Sequence, residues 1–243
     1  DYSFNNLISG SFDRIEVLKG AQSSIYGSGA LAGTVQLFWK RGREGHNKDV
    51  SIYTGSFNTK KVDLSFDGKE NNYDYFIGFT NFSTVGESAM RDNKEEDGYR
   101  NDSLTINYGY NINDSFRLEN YLYYNDSFLE YDSVNKSQND IEFSDDQQAI
   151  YTARLINTNG NFKNTISYNN TYVLRNTTGN DKKNYYGYRD AINLISEYNF
   201  NLDNRIILGL DNEFDKAELY NYYTASSYTE SDEAIYSQYF DLQ

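Results

Sequence analysis

The 243 residues carry 36 Asp and Glu against 22 Lys and Arg, a net charge of −14, with no Cys and no Pro. That charge argues against a nucleic-acid partner, because a phosphate backbone repels such a surface. The missing cysteines exclude disulfides, thiolate metal sites and cysteine nucleophiles together.

Mean hydropathy is −0.80, yet aromatics are 17% of residues, with 25 Tyr and 15 Phe beside a single Trp. A polar chain poor in aromatics would read as disordered. A polar chain rich in them fits strands that bury one face and the aromatic girdles of outer-membrane barrels. No run of 18 or more apolar residues exists, so no transmembrane helix is predicted. The chain opens on DYSFNN, with neither a basic n-region nor an apolar h-region, so no signal peptide is read. We therefore expect a fragment or mature segment, and IYSQYFDLQ reads as a final strand cut short.

Residues 13–42, DRIEVLKGAQSSIYGSGALAGTVQLFWKRG, read as strand, small-residue loop and strand. Ile15, Val17 and the strand 35–38 are expected to pair in a small buried sheet. The glycines permit positive φ and close backbone approach. The spacing misses the dinucleotide fingerprint by one residue.

From residue 43 onward the pattern changes to about ten segments in which apolar and polar residues alternate. Leu104, Ile106, Tyr108 and Tyr110 oppose Ser103, Thr105, Asn107 and Gly109. Phe116, Leu118, Leu122 and Tyr124 oppose Arg117 and Glu119; Phe162, Ile166, Tyr168 and Tyr172 oppose Lys163, Thr165, Ser167 and Thr171. Val62, Leu64 and Phe66, then Tyr73, Tyr75, Ile77 and Phe79, and finally Ile206, Leu208 and Leu210, repeat the pattern. No charge falls on the apolar face of these six segments. The segments run about 9–11 residues, the span of a tilted membrane strand. Short connections at 67–72, 111–115, 157–161 and 200–204 alternate with long ones near 83–100, 126–147, 175–188 and 215–233. Short turns at one rim and long loops at the other are the outer-membrane pattern. The first strand is placed at 47–55, and the connection 56–60 is a short exception on the outer side.

The fold class predicted is all-β: a partial transmembrane antiparallel β-barrel, about 10 of an expected 22 strands, preceded by the C-terminal part of a small α/β plug. The domains are expected at 1–42 and 43–243.

The leader carries the family resemblance. Arg14, Glu16, Gly20, Ser23, Tyr26, Gly27, Gly29 and Gly33 stand in an order and spacing that resemble the end of the plug in TonB-dependent outer-membrane receptors. Ala21 stands where that family usually has proline, and Ala32 where it usually has glycine. The echoes Asp92-Asn93, Asp97-Gly98-Tyr99, Glu130-Tyr131-Asp132 and Asn184 to Tyr188 are similar to the cobalamin (vitamin B12) branch. The resemblance implies active transport across the outer membrane of a Gram-negative bacterium, with no catalytic residue. It implies TonB and an inner-membrane energising complex as partners, outer-membrane lipid and lipopolysaccharide as surroundings, and cobalamin as cargo, with a ferric siderophore as the alternative. Other classes that fit less well are a diffusion porin and a secreted β-sandwich binding domain.

Three groups are candidate sites. The acidic stretch 126–146 and its neighbour supply Asp132, Asp140, Asp145, Asp146 and Asp181, hard oxygen donors of the kind Ca²⁺ takes six to eight of. The branch resemblance implies such calcium in outer loops; a solvated acidic loop is the plain alternative, and no other cofactor is expected. Tyr185, Tyr186 and Tyr188 are candidates for contact with a large flat ligand, with a rim girdle as the plainer alternative. The lumen-side set Arg117, Glu119, Arg154, Lys163, Glu197 and Arg205 would either salt-bridge the plug or line a wet interior. His46 is expected in a surface linker.

Overall fold

The computed structural model describes residues 6–7, 9–20, 32–88, 96–132, 141–178, 182–201, 204–221 and 227–242. Two antiparallel sheets account for its strands, and no described helix is long and apolar enough to cross a membrane. The leader hairpin is β1 (Phe12–Lys19) paired with β2 (Gly33–Trp39). The second sheet holds ten strands in strict chain order: β3 (Gly45–Thr54), β4 (Lys60–Glu70), β5 (Tyr73–Thr84), β6 (Tyr99–Asn111), β7 (Phe116–Asp132), β8 (Ile141–Asn159), β9 (Phe162–Thr177), β10 (Lys183–Asn199), β11 (Arg205–Asn221) and β12 (Ser227–Leu242). Every neighbour pair is an up-and-down hairpin, and the sheet does not close on itself. This is the partial barrel wall and preceding hairpin that the alternation predicts.

The period-two pattern sets the two faces. Along β6 burial alternates residue by residue, with Asn101, Ser103, Thr105 and Asn107 buried and Leu104, Ile106, Tyr108 and Tyr110 facing away. The polar face is covered by the leader; the apolar face is bare, with Leu208 and Leu210 about half exposed (51% and 50%). An uncovered apolar face this extensive calls for a nonaqueous neighbour. Aromatic rings mark its limits. Tyr198 meets Phe162 at 4.6 Å and Phe200 at 4.8 Å on the short-turn rim. On the other rim Tyr188 meets Tyr172 at 5.1 Å. Tyr188 and Tyr198 lie ten residues apart on β10. At ~3.3 Å per residue and a tilt of roughly 40° that is about 25 Å, the height of a membrane barrel's apolar band. Replacing Leu208 by arginine is therefore expected to destabilise the folded barrel in lipid by roughly 2–4 kcal/mol. The same change at inward-facing Thr165 is expected to stay within about 1 kcal/mol. Equilibrium unfolding of the two variants in liposomes checks this.

Three expectations are corrected. The long connections at 126–147, 175–188 and 215–233 are largely strand: β7 runs to Asp132, β8 returns from Ile141, and β9 to β12 extend similarly. Ladder hydrogen bonds need no apolar alternation where both faces are wet, so the end of the apolar pattern is not the end of the strand. The short turns contract, to 71–72 and 160–161 for example, while β5 ends at Thr84 and β6 begins at Tyr99. The leader sheet forms as expected but is not buried: Ile15 (51%) and Val17 (61%) are exposed. His46 lies in β3 rather than a linker, its Nδ1 3.0 Å from the Tyr75 hydroxyl.

Candidate functional site at the seam between leader and wall

The leader leaves β2 at Trp39 and reaches β3 at Gly45 through five residues pressed against the inner wall. The wall supplies polar partners at alternate positions of β4 to β8. Lys40 offers its carbonyl to the Asn107 amide at 2.8 Å. Gly42 packs where a Cβ would stand 1.9 Å from the Gly68 carbonyl oxygen, so no larger residue fits without moving backbone. Arg43 donates its backbone N–H to Asp67 at 2.8 Å and its guanidinium to both oxygens of the same carboxylate, at 2.6 to 3.2 Å; it also reaches Asp49. Such forked contacts are directional as well as strong, and Asp67 is almost wholly buried.

Arg41 turns to the wall as well. Its Nη2 lies 2.8 Å from Glu119 Oε1 and 2.8 Å from the Tyr121 hydroxyl, which itself donates to Glu119 at 2.7 Å. Glu119 also accepts from Arg117 Nε at 2.9 Å, and Arg117 Nη2 reaches Asp74 at 2.5 Å. Arg117 is on β7 and Asp74 on β5, so the side chain must cross β6. It does so over Gly109, the residue paired to both Asp74 and Glu119, where a Cβ would lie 2.0 Å from Arg117 Nη2. A missing side chain on the middle strand is what lets the ion pair span three strands.

Higher up, the leader is held by aromatic and amide contacts. Phe12 meets Trp39 at 4.7 Å and Trp39 meets Tyr123 at 5.3 Å. The Asn6 carbonyl accepts from Tyr123 Oη at 3.2 Å and from Asn101 Nδ2 at 3.1 Å, while its side chain accepts from Tyr99 and donates to Asp146. Thr105 donates to Ser11 at 2.7 Å. Tyr123→Phe is expected to weaken this seat by about 1 kcal/mol, one neutral hydrogen bond's worth; amide protection in β1 and β2 reads it.

The predicted residues fall as follows. Arg14 and Glu16 pair at 2.6 Å on the leader's exposed face, and Arg14 also stacks 3.6 Å over Phe38. Gly20 adopts φ of 98° and donates to Ala32, and Gly33 abuts the Leu18 carbonyl, so the two glycines close the loop they bracket. Ser23, Tyr26, Gly27 and Gly29 lie outside the described residues, as do Asp140 and Asp181. Asp145 and Asp146 are neighbours in β8 and so point to opposite faces: Asp146 inward to Arg175 and Asn6, Asp145 outward. Asp132, at the end of β7, accepts from Ser88 at 3.2 Å. Among the described residues no three His, Cys, Asp or Glu gather as a metal cage, so the described part of the acidic set does not by itself fit Ca²⁺. Tyr185 faces inward, with its ring over Gly187. Tyr186 and Tyr188 face outward, against Tyr220 and Tyr172, because alternation splits adjacent tyrosines. Asp190 sits on the outward face of β10, satisfied by Tyr168 at 2.6 Å and Asn170 at 2.9 Å. Of the lumen-side set, Arg117 and Glu119 meet the leader's anchor. Lys163 and Arg205 instead turn to Glu197.

Tyr121, Tyr123, Arg41 and Arg43 were not singled out from the sequence. The signal for the tyrosines is their parity: aromatic residues on the otherwise polar register of β7.

A sheet apolar on its outer face and girdled at two heights, with a hairpin anchored on its inner face, defines a plugged membrane barrel. Known proteins agree. A family model described as the TonB-dependent Receptor Plug Domain matches residues 1–34. The vitamin B12 transporter BtuB of Vibrio vulnificus (strain CMCP6) is 28% identical over 137 residues, 56% of this chain and 23% of that protein. The ferripyoverdine receptor of the Pseudomonas aeruginosa outer membrane superposes with a TM-score of 0.78 at 15% identity, over 96% of this chain and 39% of that one. The alcaligin outer-membrane receptor FauA of Bordetella pertussis gives 0.77 at 15% identity, with the same shares. The match to the plug model is confined to residues 1–34, and the chain spans well under half the length of these outer-membrane receptors and transporters.

Proposed function

We propose that the receptor to which this chain contributes carries a scarce nutrient across the outer membrane at the expense of energy delivered through TonB, and that the nutrient is cobalamin. The observation that carries the transport reading is the seam: a hairpin fastened by ion pairs to buried carboxylates and by amide bonds to the inner face of a lipid-facing wall is a stopper, not a constriction. A stoppered barrel passes cargo only when the stopper is moved, and that work comes from outside, so the wall needs no reacting group. The cobalamin reading is supported by the B12 transporter among the sequence relatives and by the echoes at 92–99, 130–132 and 184–188. Of the three candidate tyrosines Tyr185 faces inward, and the cobalamin reading assigns cargo contact to it. A ferric siderophore is the second reading, favoured by what the superposing receptors are named for.

The test uses the whole receptor in cells lacking their own cobalamin receptor. Radiolabelled cyanocobalamin is expected to bind at submicromolar concentration and to enter only while the membrane is energised. No binding at micromolar ligand ends the cobalamin reading, and iron-siderophore growth tests then take its place. Steady large conductance in bilayers without energy ends the transport reading in favour of a porin. Calcium dependence, resting on Asp132, Asp140, Asp145, Asp146 and Asp181, is read in the same assay by adding a chelator.

A further inference from the structure

Between the leader hairpin and the wall lies a cleft of about 770 Å³ whose lining includes Arg14, Trp39, Arg41, Tyr121 and Arg154. Asp13 lines it too, and its charges are unevenly paired. Arg14 is matched by Asp13 and Glu16. Arg41 and Arg117 share Glu119, and Arg117 also holds Asp74. Arg154 stands directly across the β7–β8 ladder from Glu119 on the same inner face. Glu119 already accepts from Arg41, Arg117 and Tyr121, and among the described residues no carboxylate pairs with Arg154. Its guanidinium lies instead 5.4 Å from the centroid of the Tyr121 ring and is exposed to the cleft. The four guanidiniums are thus equalled by four carboxylates, but two of these serve Arg14 and two serve Arg41 and Arg117, so Arg154 is the guanidinium at the cleft without a carboxylate of its own among the described residues.

We propose that this cleft is an anion-binding station on the route past the plug, where a carboxylate or phosphate borne by the cargo is held between Arg154 and Arg41 over the Tyr121 ring. The proposal rests on the transport reading and specifies its cargo chemistry. Guanidinium groups take oxyanions through paired N–H donors. Because Glu119 keeps Arg41 tethered, the station offers one guanidinium, that of Arg154, with no carboxylate on it among the described residues. A pathway site must bind well enough to admit its cargo and weakly enough to release it.

Trp39 lines the cleft and is the only tryptophan in this chain, which supplies a readout independent of transport. In the purified whole receptor, the difference between the wild-type and Trp39→Phe emissions isolates this ring. Iodide, an anionic quencher, is expected to lose quenching efficiency roughly threefold in Arg154→Gln, the factor for one unit charge about 6 Å away in water-like screening. Caesium quenching is expected to rise, Arg154→Lys to behave as wild type, and inorganic phosphate to protect Trp39 from iodide. In cells, Arg154→Gln is expected to keep surface binding of cyanocobalamin, which carries a phosphodiester, while energised uptake slows. Unchanged iodide and caesium quenching in Arg154→Gln overturns the station. Wild-type receptor that neither binds nor imports cyanocobalamin overturns the cobalamin reading instead, and the quenching result then stands or falls alone.

Discussion

Replacing Glu119 by alanine is expected to loosen the leader's seat by about 3 kcal/mol, near the lower end of the range for removing one partner of a buried ion pair. The Glu119 side chain is 3% exposed and accepts from Arg41, Arg117 and Tyr121 at once. Its loss strands donors unequally. Arg41 is half exposed and can turn to water, whereas Arg117 is 22% exposed and keeps only Asp74 and Asn111. The loss therefore concentrates on Arg117 and on the buried Tyr121 hydroxyl. Glu119→Gln, which keeps an acceptor but not the charge, is expected to fall between. Lys216→Ala, which removes an exposed pair with Glu230 on the outward face, is expected to change stability by less than about 1 kcal/mol. Amide exchange of β2 in the whole receptor reads local release of the hairpin. A cycle with Arg41→Ala isolates the contact that joins leader to wall, with a coupling of about 0.5–3 kcal/mol expected between touching residues. Exchange in Glu119→Ala indistinguishable from wild type would mean that Arg43 and Gly42 hold the junction without it.

The seam also marks where sequence reasoning reaches and where it stops. Period-two alternation identifies the wall and its two faces because lipid on one side imposes a rule at every second residue; Leu104 to Tyr110 and Ile206 to Leu210 obey it. Past the aromatic rim the rule lapses, since Asp145 and Asp146 are equally at home on opposite wet faces, and the strand ends there depend on ladder bonds that leave no periodic trace. The same lapse separates Tyr185 from Tyr186 and Tyr188, three residues that look alike as a run. On β7 the sequence 118–125, LENYLYYN, has aromatics on both registers, which hides Tyr121 and Tyr123 among lipid-facing neighbours. The Arg117–Asp74 pair joins strands that are not adjacent, and only the register reveals that Gly109 lies between them. The fold was thus legible from local periodicity, whereas the anchor depends on contacts between residues as far apart as Arg41 and Glu119.

Gly42→Ala is expected to cost about 3 kcal/mol or more, a large effect for one methyl group. The reason is space rather than dihedral freedom. A Cβ at this position would lie 1.9 Å from Gly68 O, 2.6 Å from Gly68 C and 2.8 Å from Tyr75 O, all of them backbone atoms. Gly68 and Tyr75 are themselves paired across the β4–β5 ladder, so neither can retreat without breaking sheet bonds. The chain at Gly42 cannot retreat either, because Arg41 is tied to Glu119 on one side and Arg43 to Asp67 on the other. Overpacking a well-filled site ordinarily costs about 1–3 kcal/mol when side chains can yield; here the obstacles are main chain on both sides. Gly45 is the contrast. It has φ of 76°, but a Cβ there meets nothing within 4 Å, so Gly45→Ala pays only the left-handed backbone penalty of roughly 1–2 kcal/mol. Protease sensitivity between residues 40 and 45, with Trp39 emission, ranks the two variants. If Gly45→Ala proved the more damaging, the junction would be governed by backbone conformation and not by the close crossing of the leader over β4 and β5.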